Sequence, residues 1–555
     1  MRGVLVARTA RTARLMGALR SKRALAAGVA VAMGLALAAC ASTSASSTTT
    51  TTRAAATAAS TTGAALSALP APAIAGVPPL PGPIAAPARL STNMANLDVT
   101  PDSGVIGSTM TISGSHLAAN QHVTLTWSTA KDTWEASVQP DTVNYLGRLE
   151  TKLAVVIATT TTSASGAFSV TMKAPDDWGG VHDIYAVING VEVAHGGYLI
   201  ARSATISPTS GPIGTPITIT YRGLGASLYE SGFSILYDNH YVGEGMSTWT
   251  RGTSQVVIRA SGPVGVHTIQ IGNAIGYLYL NVPQSPIPFT TGATFSFTVT
   301  ADDGPPAASI DWPSSVAPTI TARTTLAKSG LAVASTAKMT LTQTSGAVNT
   351  KVGLTASGLK SSAPVQLVWS TVVGNRVNCA STCWSFVSVP LGTVTPSNGS
   401  INTSIKVPDG LGGWHAVQLV QGGEIQAQVP FYVHISIVGK GVGSVVVKEG
   451  QSFTIHLEGV GWTQLDNTVA VDYDNSYIGY GCGFNSNGDV LLHIYATGGP
   501  GTHLIDLYPM LYTLSPSFAN AEYGMVPMLT YAQDAPGLAV GYQSAALRFA
   551  ITVVK

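Results

Sequence analysis

The feature that most constrains the fold of this chain is an internal duplication. Three motifs occur twice, in the same order along the sequence. The first copy runs from about Asn96 to Thr300 and the second from about Met339 to Val553, and each copy contains two modules. The matching segments are Val123–Thr129 with Val365–Thr371, Lys173–His182 with Lys406–His415, and Tyr237–Gly245 with Tyr473–Gly481.

Each module consists of short runs of alternating apolar and hydroxyl-bearing residues, separated by Gly, Pro, Asn or Asp. Thr109–Ser113, Pro216–Thr220 and Ser452–Leu457 are examples. Such runs are typical of antiparallel sandwiches of about 100 residues. Only 10% of the residues are charged, which also favours packed β-structure over helices. The sequence therefore predicts an all-β chain of four tandem immunoglobulin-like β-sandwiches, arranged as a duplicated pair after a disordered stalk.

The predicted stalk follows from composition. Residues 41–63 are nearly all Ser, Thr and Ala, and residues 64–90 are rich in Ala and Pro, so neither stretch can bury a core. The predicted boundaries are 1–39 for a leader, 40–90 for the stalk, 91–201 for module 1, 202–300 for module 2, 301–338 for a linker, 339–433 for module 3 and 434–555 for module 4.

Modules 1 and 2 open with closely similar segments, Val99–Gly107 and Ile206–Gly214. In both, a short strand leads through Pro into a Ser-Gly turn. This opening resembles that of IPT/TIG-type immunoglobulin-like domains, whereas module 3 keeps only Ser345 and Gly346 of it. The resemblance implies that each module is a binding or spacing unit without catalysis of its own.

The first 40 residues have the pattern of an export signal. Seven basic residues and no acidic residue lie within Met1–Arg23, and an uncharged run from Ala24 to Ala39 follows. That run is shorter than the roughly 20 residues of a spanning helix. Leu37–Cys40 resembles the lipobox of bacterial lipoproteins, which implies that Cys40 is acylated. We therefore expect an exported protein, anchored to the outer face of a bacterial membrane through Cys40, with an uncleaved anchor or simple secretion as alternatives.

Removing this leader changes the charge balance. It takes away seven of the 28 basic residues, so 21 basic residues remain against 27 acidic ones, a net charge of −6. A mildly acidic body argues against nucleic acid as a partner.

The motif Tyr-Asp-Asn-x-Tyr supplies the candidate binding residues. Asp-Asn between two strand-like runs predicts a hairpin, and with a three-residue loop the two tyrosines face each other across the strands. Such pairs stabilise hairpins, whereas outward-facing rings would suit sugars or protein surfaces. Calcium bound by Asp472, Asp474 and Asn475 is a third alternative, although Leu236 replaces Asp472 in the first copy. The candidate residues are Tyr237, Asp238, Asn239, Tyr241, Tyr473, Asp474, Asn475 and Tyr477.

A Gly-x-His step occurs once in each module. Because each histidine belongs to a different module, we expect a glycine turn into a late strand and a local structural contact rather than shared ligation of zinc. No metal site and no cofactor are predicted. The histidines are His182, His267, His415 and His503.

The remaining cysteines support export. Cys379 and Cys383 lie four residues apart in an insertion, and a disulfide-closed loop is predicted there. Cys482 corresponds to Met246 of the first copy, which predicts a small buried thiol, although pairing with either loop cysteine is an alternative.

The chain contains neither a Gly-x-Ser-x-Gly elbow nor a His-Glu-x-x-His motif, and we expect it not to be an enzyme. The leading hypothesis is a non-catalytic surface lipoprotein for adhesion or recognition of an envelope polysaccharide or protein, with avidity from its two copies. A structural spacer is one alternative, and its mark would be hairpin tyrosines buried between modules. An extracellular hydrolase is another, and it would need an acid pair or a Ser-His-Asp cluster assembled only by folding.

Overall fold

Modules 2, 3 and 4 each fold into two β-sheets, whereas the strands of module 1 form a single nine-stranded sheet. The computed structural model describes residues 74–77, 79–85, 89–139, 142–227, 230–272, 291–313, 331–334, 336–361, 363–374, 384–439, 445–511 and 525–555. The leader, most of the stalk, Cys40, Cys379 and Cys383 lie outside these ranges, so the lipidation and the disulfide remain predictions.

The strands of the first copy form modules 1 and 2. Module 1 contains β1 (Pro83–Ile84), β2 (Arg89–Thr100), β3 (Ser103–Gly104), β4 (Thr109–Gly114), β5 (His122–Gln139), β6 (Thr142–Thr161), β7 (Phe168–Lys173), β8 (Gly180–Ile188) and β9 (Val191–Ile200). Module 2 contains β10 (Ser203–Ser207), β11 (Ser210–Gly211), β12 (Pro216–Arg222), β13 (Gly232–Tyr237), β14 (His240–Met246), β15 (Thr253–Arg259), β16 (Gly265–Gly272) and β17 (Thr291–Val299).

The second copy follows a short strand in the connection, β18 (Ser309–Asp311). Module 3 contains β19 (Lys338–Leu341), β20 (Ser345–Ala347), β21 (Lys351–Ser357), β22 (Val365–Gly374), β23 (Trp384–Val394), β24 (Ile401–Lys406), β25 (Gly413–Gln421) and β26 (Glu424–His434). Module 4 contains β27 (Ser436–Ile437), β28 (Val445–Lys448), β29 (Ser452–Glu458), β30 (Thr468–Tyr473), β31 (Ser476–Cys482), β32 (Val490–Tyr495), β33 (Gly501–Pro509) and β34 (Ala546–Val554).

The four modules share a common strand order. In modules 2, 3 and 4 a three-stranded sheet faces a larger sheet, whose order in module 2 is β11-β17-β16-β13-β14 and in module 3 is β20-β26-β25-β22-β23. In module 1 the long strand β2 pairs with both β4 and β9, so the corresponding strands form one nine-stranded sheet. In every module a short strand after the first turn pairs in parallel with the last strand of the larger sheet. The fold is therefore a set of tandem β-sandwiches, as the sequence predicts.

Burial along the strands explains this arrangement. Ile217, Ile219 and Tyr221 alternate with more exposed residues along β12, because only one face of that strand meets the sandwich core. Every residue of β13 and of β30 is buried. These strands lie inside their sheets and other parts of the chain cover their outer faces.

The end of the predicted stalk packs on module 1, so the prediction of an unpacked stalk is wrong for this part. Ile74, Val77 and Leu80 contact the apolar core of module 1, and β1 pairs with β6. The Nζ of Lys173 also donates to the carbonyl oxygen of Gly76. The apolar residues among the prolines supply the contact surface that composition alone did not reveal.

The described residues between 57 and 555 belong to one compact unit. Within it, one apolar cluster joins residues of all four modules, including Trp134 of module 1, Trp249 of module 2, Trp414 of module 3 and Trp462 of module 4. A second cluster joins the core of module 2 to β33 and β34. The segment between β33 and β34 contributes to both clusters, with a buried 3₁₀ turn at Pro536–Val540. The modules therefore share cores, which the sequence did not predict.

Candidate functional site: hairpins, buried network and groove

The two predicted hairpins form, but their register differs from the expectation. Tyr237 pairs with His240 and Leu236 pairs with Tyr241, so the tyrosines do not face each other. The second copy has the same register, with Tyr473 opposite Ser476. Both turn residues of each copy adopt positive φ, at Asp238, Asn239, Asp474 and Asn475. Asp and Asn tolerate this conformation, which permits a tight two-residue turn where a three-residue loop was predicted.

The first tyrosine of each hairpin points into its own module. Tyr237 and Tyr473 are both buried, and each hydroxyl donates to a carbonyl oxygen, that of Ser261 at 2.9 Å or that of Thr497 at 2.8 Å. Burial raises the pKa of Tyr473 to about 12. Outward-facing rings are therefore wrong for these two residues, and they have the structural role.

Each of the four histidines makes a local contact of one kind. Its Nε2 lies 2.8 or 2.9 Å from the carbonyl oxygen four residues earlier, and its ring stacks on an aromatic ring of a neighbouring strand. The four stacked pairs are Trp127 with His182, Tyr237 with His267, Trp369 with His415, and Tyr473 with His503. The motif is thus a structural element of each sandwich, as the sequence predicts.

The turn aspartates hold the histidines of modules 2 and 4. Asp238 Oδ2 lies 2.6 Å from His267 Nδ1, and Asp474 Oδ2 lies 2.5 Å from His503 Nδ1. Burial opposes the charged form of His503, yet the hydrogen bond and charge of Asp474 raise the pKa of that imidazole above its ordinary value. The carboxylate of Asp474 is thereby committed to the fold, which argues against the calcium alternative.

The second tyrosines pack between modules 2 and 4. The rings of Tyr241 and Tyr477 meet edge to face, with centroids 6.4 Å apart. Asn475 is buried beside them, and its amide donates to the carbonyl oxygen of Arg259 at 2.7 Å and to the hydroxyl of Ser261 at 2.8 Å. Its counterpart Asn239 is exposed. The second copy of the motif therefore joins modules 2 and 4 through Asn475, whereas Asn239 of the first copy remains at the surface.

A buried charged network also joins modules 2 and 4. Arg259 reaches from β15 to Asp506 at 2.7 Å and donates to the carbonyl oxygen of Phe549 at 2.8 Å. Arg548 lies 3.4 Å from Asp506 and donates to the carbonyl oxygen of Val257 at 3.0 Å. Its Nε also pairs with Asp311 in β18. The contacts among Arg259, Asp506 and Arg548 fix the two modules to each other through charges that are withdrawn from water.

Folding brings two carboxylates together in this network, Asp472 and Asp506, which are register partners on β30 and β33. Burial and the charge of Asp506 raise the pKa of Asp472 well above its ordinary range. Both side chains are almost fully buried. The hydrolase hypothesis called for an acid pair, but a substrate cannot reach this one, so the arrangement serves packing between modules.

An open groove runs between the edge strands β31 and β32 of module 4. Its volume is about 610 Å³. Ile478 and Leu491 line it with 52% and 57% of their surfaces exposed, and Tyr480 contributes from the same strand as Ile478. Asp489 and His493 add polar groups. The sequence did not predict this groove, although apolar residues on both faces of β31 were a signal for it.

One cluster among the described residues could hold a cation. The ligand atoms of His456, Glu458 and Asp489 all lie within 4.8 Å of one another. His456 Nε2 is 2.8 Å from Asp489 Oδ1, so a direct hydrogen bond already satisfies this pair. The sequence analysis did not identify this group.

Cys482 lies at the end of β31 and lines the groove. It is exposed, so the predicted buried thiol is wrong. Its Sγ is 3.1 Å from the hydroxyl of Thr468. The position is buried in the first copy, where Met246 occupies it, because other residues cover that strand.

In the part of the chain that the structure describes, no helix has the length and apolar character needed to span a bilayer.

No protein-family model matches this chain, and no curated protein is similar to it. Among solved structures, alpha-2-macroglobulin of Salmonella (mutant Y1175G) is 8% identical with a TM-score of 0.16, over 83% of this chain and 31% of that one. The chain thus spans about a third of that protein. The Escherichia coli adhesin FdeC is 11% identical with a TM-score of 0.15, over 62% and 98% of the two chains. The fibronectin(III)-like modules of Clostridium thermocellum CbhA are 11% identical with a TM-score of 0.12, over 39% and 93%.

Proposed function

We propose that this chain is a non-catalytic recognition protein, held on the outer face of a bacterial membrane by acylated Cys40, and that it binds another protein through the groove of module 4. The groove is the observation that carries the proposal. Its exposed lining at Ile478 and Leu491 is aliphatic, and contiguous exposed apolar surface of this kind marks interaction sites.

Aliphatic lining favours a protein partner over a polysaccharide. Sugars are bound by flat aromatic rings together with many hydrogen-bonding groups. The groove instead offers Ile478, Leu491 and one tyrosine, Tyr480, with Asp489 and His493 among its polar groups. A partner that buries apolar side chains fits this chemistry best.

The two copies do not offer equivalent surfaces, which removes the expected avidity. In the first copy Val242 occupies the place of Ile478 and is fully buried. Recognition is therefore assigned to module 4 alone, and modules 1 to 3 hold it in place through the shared apolar cluster.

A structural spacer is the second candidate, and a specific observation favours it. Tyr241 and Tyr477 pack between modules 2 and 4, which is the arrangement expected of a spacer. In that case the groove has no partner. The two candidates differ in whether changes in the groove affect binding.

Co-sedimentation of residues 57–555 with isolated envelope proteins and, separately, with envelope polysaccharides tests the proposal. The variant carries Ile478→Ser and Leu491→Ser. The matched control carries Val181→Ser and Val266→Ser, at positions 74% and 70% exposed on modules 1 and 2. Replacing Tyr237 or Tyr473 would test folding instead, since both are buried.

Saturable binding to the protein fraction that the groove variant loses and the control keeps supports protein recognition. Binding to the polysaccharide fraction alone would show that the partner is a polysaccharide and not a protein. Binding that is equal in all three chains, or none to either fraction, overturns the proposal and leaves the spacer.

A further inference from the structure

The open groove of module 4 has an equivalent in module 2, between β14 and β15. The two hairpins have the same register, including the same irregularity, so Glu244 on β14 corresponds to Tyr480 on β31. Strands β12 and β29 are equivalent in the two modules. Thr220 of β12 pairs with Gln255 of β15, and the equivalent His456 of β29 pairs with Leu491 of β32. Gln255 is therefore the counterpart of Leu491.

In module 2 this place is filled by a segment of the chain itself, residues 527–533. The N–H of Glu244 donates to the carbonyl oxygen of Pro527 at 3.0 Å, and the N–H of Leu529 donates to the carbonyl oxygen of Glu244 at 2.7 Å. Glu244 and Met528 thus form a parallel β-bridge. Further along, the side-chain amide of Gln533 donates to the carbonyl oxygen of Gln255. The segment therefore runs from one edge strand to the other.

The covering segment accounts for the difference in burial between the copies. A Cβ placed on Gly243 would lie 2.7 Å from the carbonyl oxygen of Pro527 and 3.0 Å from Cγ of Leu529. A Cβ placed on the equivalent Gly479 meets no atom within 4 Å. Where the segment is present the strand is enclosed, and at Gly479 the same backbone faces open space.

The open groove is continuous with an existing interface. β31 begins beside Tyr477, whose ring packs on Tyr241 where modules 2 and 4 meet. Tyr477 is half-buried, and the next residue, Ile478, is exposed and lines the groove. A ligand in the groove would lie next to this contact between modules 2 and 4.

A second copy of this chain is a poor source of the same segment. Residues 527–533 of every copy are hydrogen bonded to its own module 2, and Leu529 and Tyr531 belong to the apolar cluster of that module. A second copy could supply the segment only by breaking these contacts, which favours a segment of another protein as the occupant. Its chemistry is given by the segment that fills the equivalent place, since residues 525–533 are apolar or neutral throughout.

We propose that the groove between β31 and β32 binds an uncharged and largely apolar segment of a partner protein, which pairs with β31 over a few residues and then turns toward β32, as residues 527–533 do between β14 and β15. This inference rests on the proposed function and specifies its ligand. Main-chain pairing of a partner segment with an exposed sheet edge is a general mode of peptide recognition.

The probe is a fluorescent peptide with the sequence of residues 525–533, titrated with residues 57–555 and followed by anisotropy. A peptide with the same composition in reversed order is the control ligand. The groove variant Ile478→Ser/Leu491→Ser and the control variant Val181→Ser/Val266→Ser complete the set. All four positions are more than half exposed, so the fold should tolerate the changes, and circular dichroism with thermal unfolding checks this.

We expect saturable binding of the peptide, weakened about tenfold or more in the groove variant and changed less than about twofold in the control. No saturation below about 1 mM, or equal affinity for the reversed peptide or the groove variant, overturns the inference. Sedimentation that shows wild-type chains associating through the groove would make a second copy the occupant and would also overturn it.

The two tests fail separately. If envelope proteins bind through the groove but the peptide does not, the proposed function stands and the binding mode inferred from residues 527–533 is wrong. If the peptide binds in the groove but envelope proteins do not, the mode stands and the location of the partner is wrong.

Discussion

Leu236 and Asp472 occupy equivalent positions in the two copies. Each pairs with the second tyrosine of its hairpin, Leu236 with Tyr241 and Asp472 with Tyr477, and each is buried. Leu236 fills its place with apolar atoms. The carboxylate oxygens of Asp472 accept no hydrogen bond among the described residues. Asp472 therefore lowers the stability of the second copy, whereas Leu236 does not lower that of the first.

Asp472→Leu should stabilise the protein by about 1 to 3 kcal/mol at pH 7, because it removes a buried acceptor without a donor. Because burial raises the pKa of Asp472, the folded chain keeps a proton that the unfolded chain releases above the ordinary pKa. Its stability contribution is therefore present at low pH and is lost as pH rises. Urea unfolding of both chains at pH 4 and pH 8 should show the variant's advantage growing with pH. An advantage that shrinks would contradict the assignment.

Asn475→Gly should destabilise the chain by about 1 to 3 kcal/mol, because the carbonyl of Arg259 and the hydroxyl of Ser261 lose a buried donor. Asn239→Gly is the matched control, since Asn239 has the same place in its turn and is exposed. Glycine tolerates positive φ at both sites, so the turns themselves are kept. Equal unfolding midpoints for the two variants would show that the contact of Asn475 contributes nothing.

Trp134→Phe should cost about 1.5 to 3 kcal/mol, because the indole Nε1 donates at 2.6 Å to Oδ1 of the fully buried Asp534. Phe keeps an aromatic ring in the central cluster but leaves that oxygen without this donor. Trp312→Phe is the control, because Trp312 is partly exposed and its ring contacts that of His434 at a tilt, with centroids 4.6 Å apart. The urea midpoint of each variant measures the effect, and a loss no larger than that of the control would refute it.

His415 should make the protein sensitive to acid. Burial lowers the pKa of this imidazole to about 4, whereas the unfolded chain takes up the proton near 6.5. Stability is therefore complete above pH 6.5 and falls by about 3 kcal/mol as pH drops to 4. In His415→Gln that loss should disappear. Urea unfolding at pH 7 and pH 4 measures it, and parallel pH profiles of the two chains would rule out this origin.

The fold was largely predictable because its signals are local. Alternating residues predict strands, and the duplicated motifs predict equivalent modules, as the common strand order confirms. The Asp-Asn turn was predicted at the right place but one residue too long. The register depended on both residues adopting positive φ, which residue type permits but does not dictate.

The sequence by itself determined the four sandwiches, their duplication and the local contacts of the histidines, because these follow from the order of residues within one module. Only the tertiary structure decided which faces are covered. Arg259 and Tyr495 occupy equivalent places at the ends of β15 and β32, yet Arg259 is buried and Tyr495 is exposed. Alternation along a strand tells which side chains share a face, but contacts between distant segments decide whether anything packs against it.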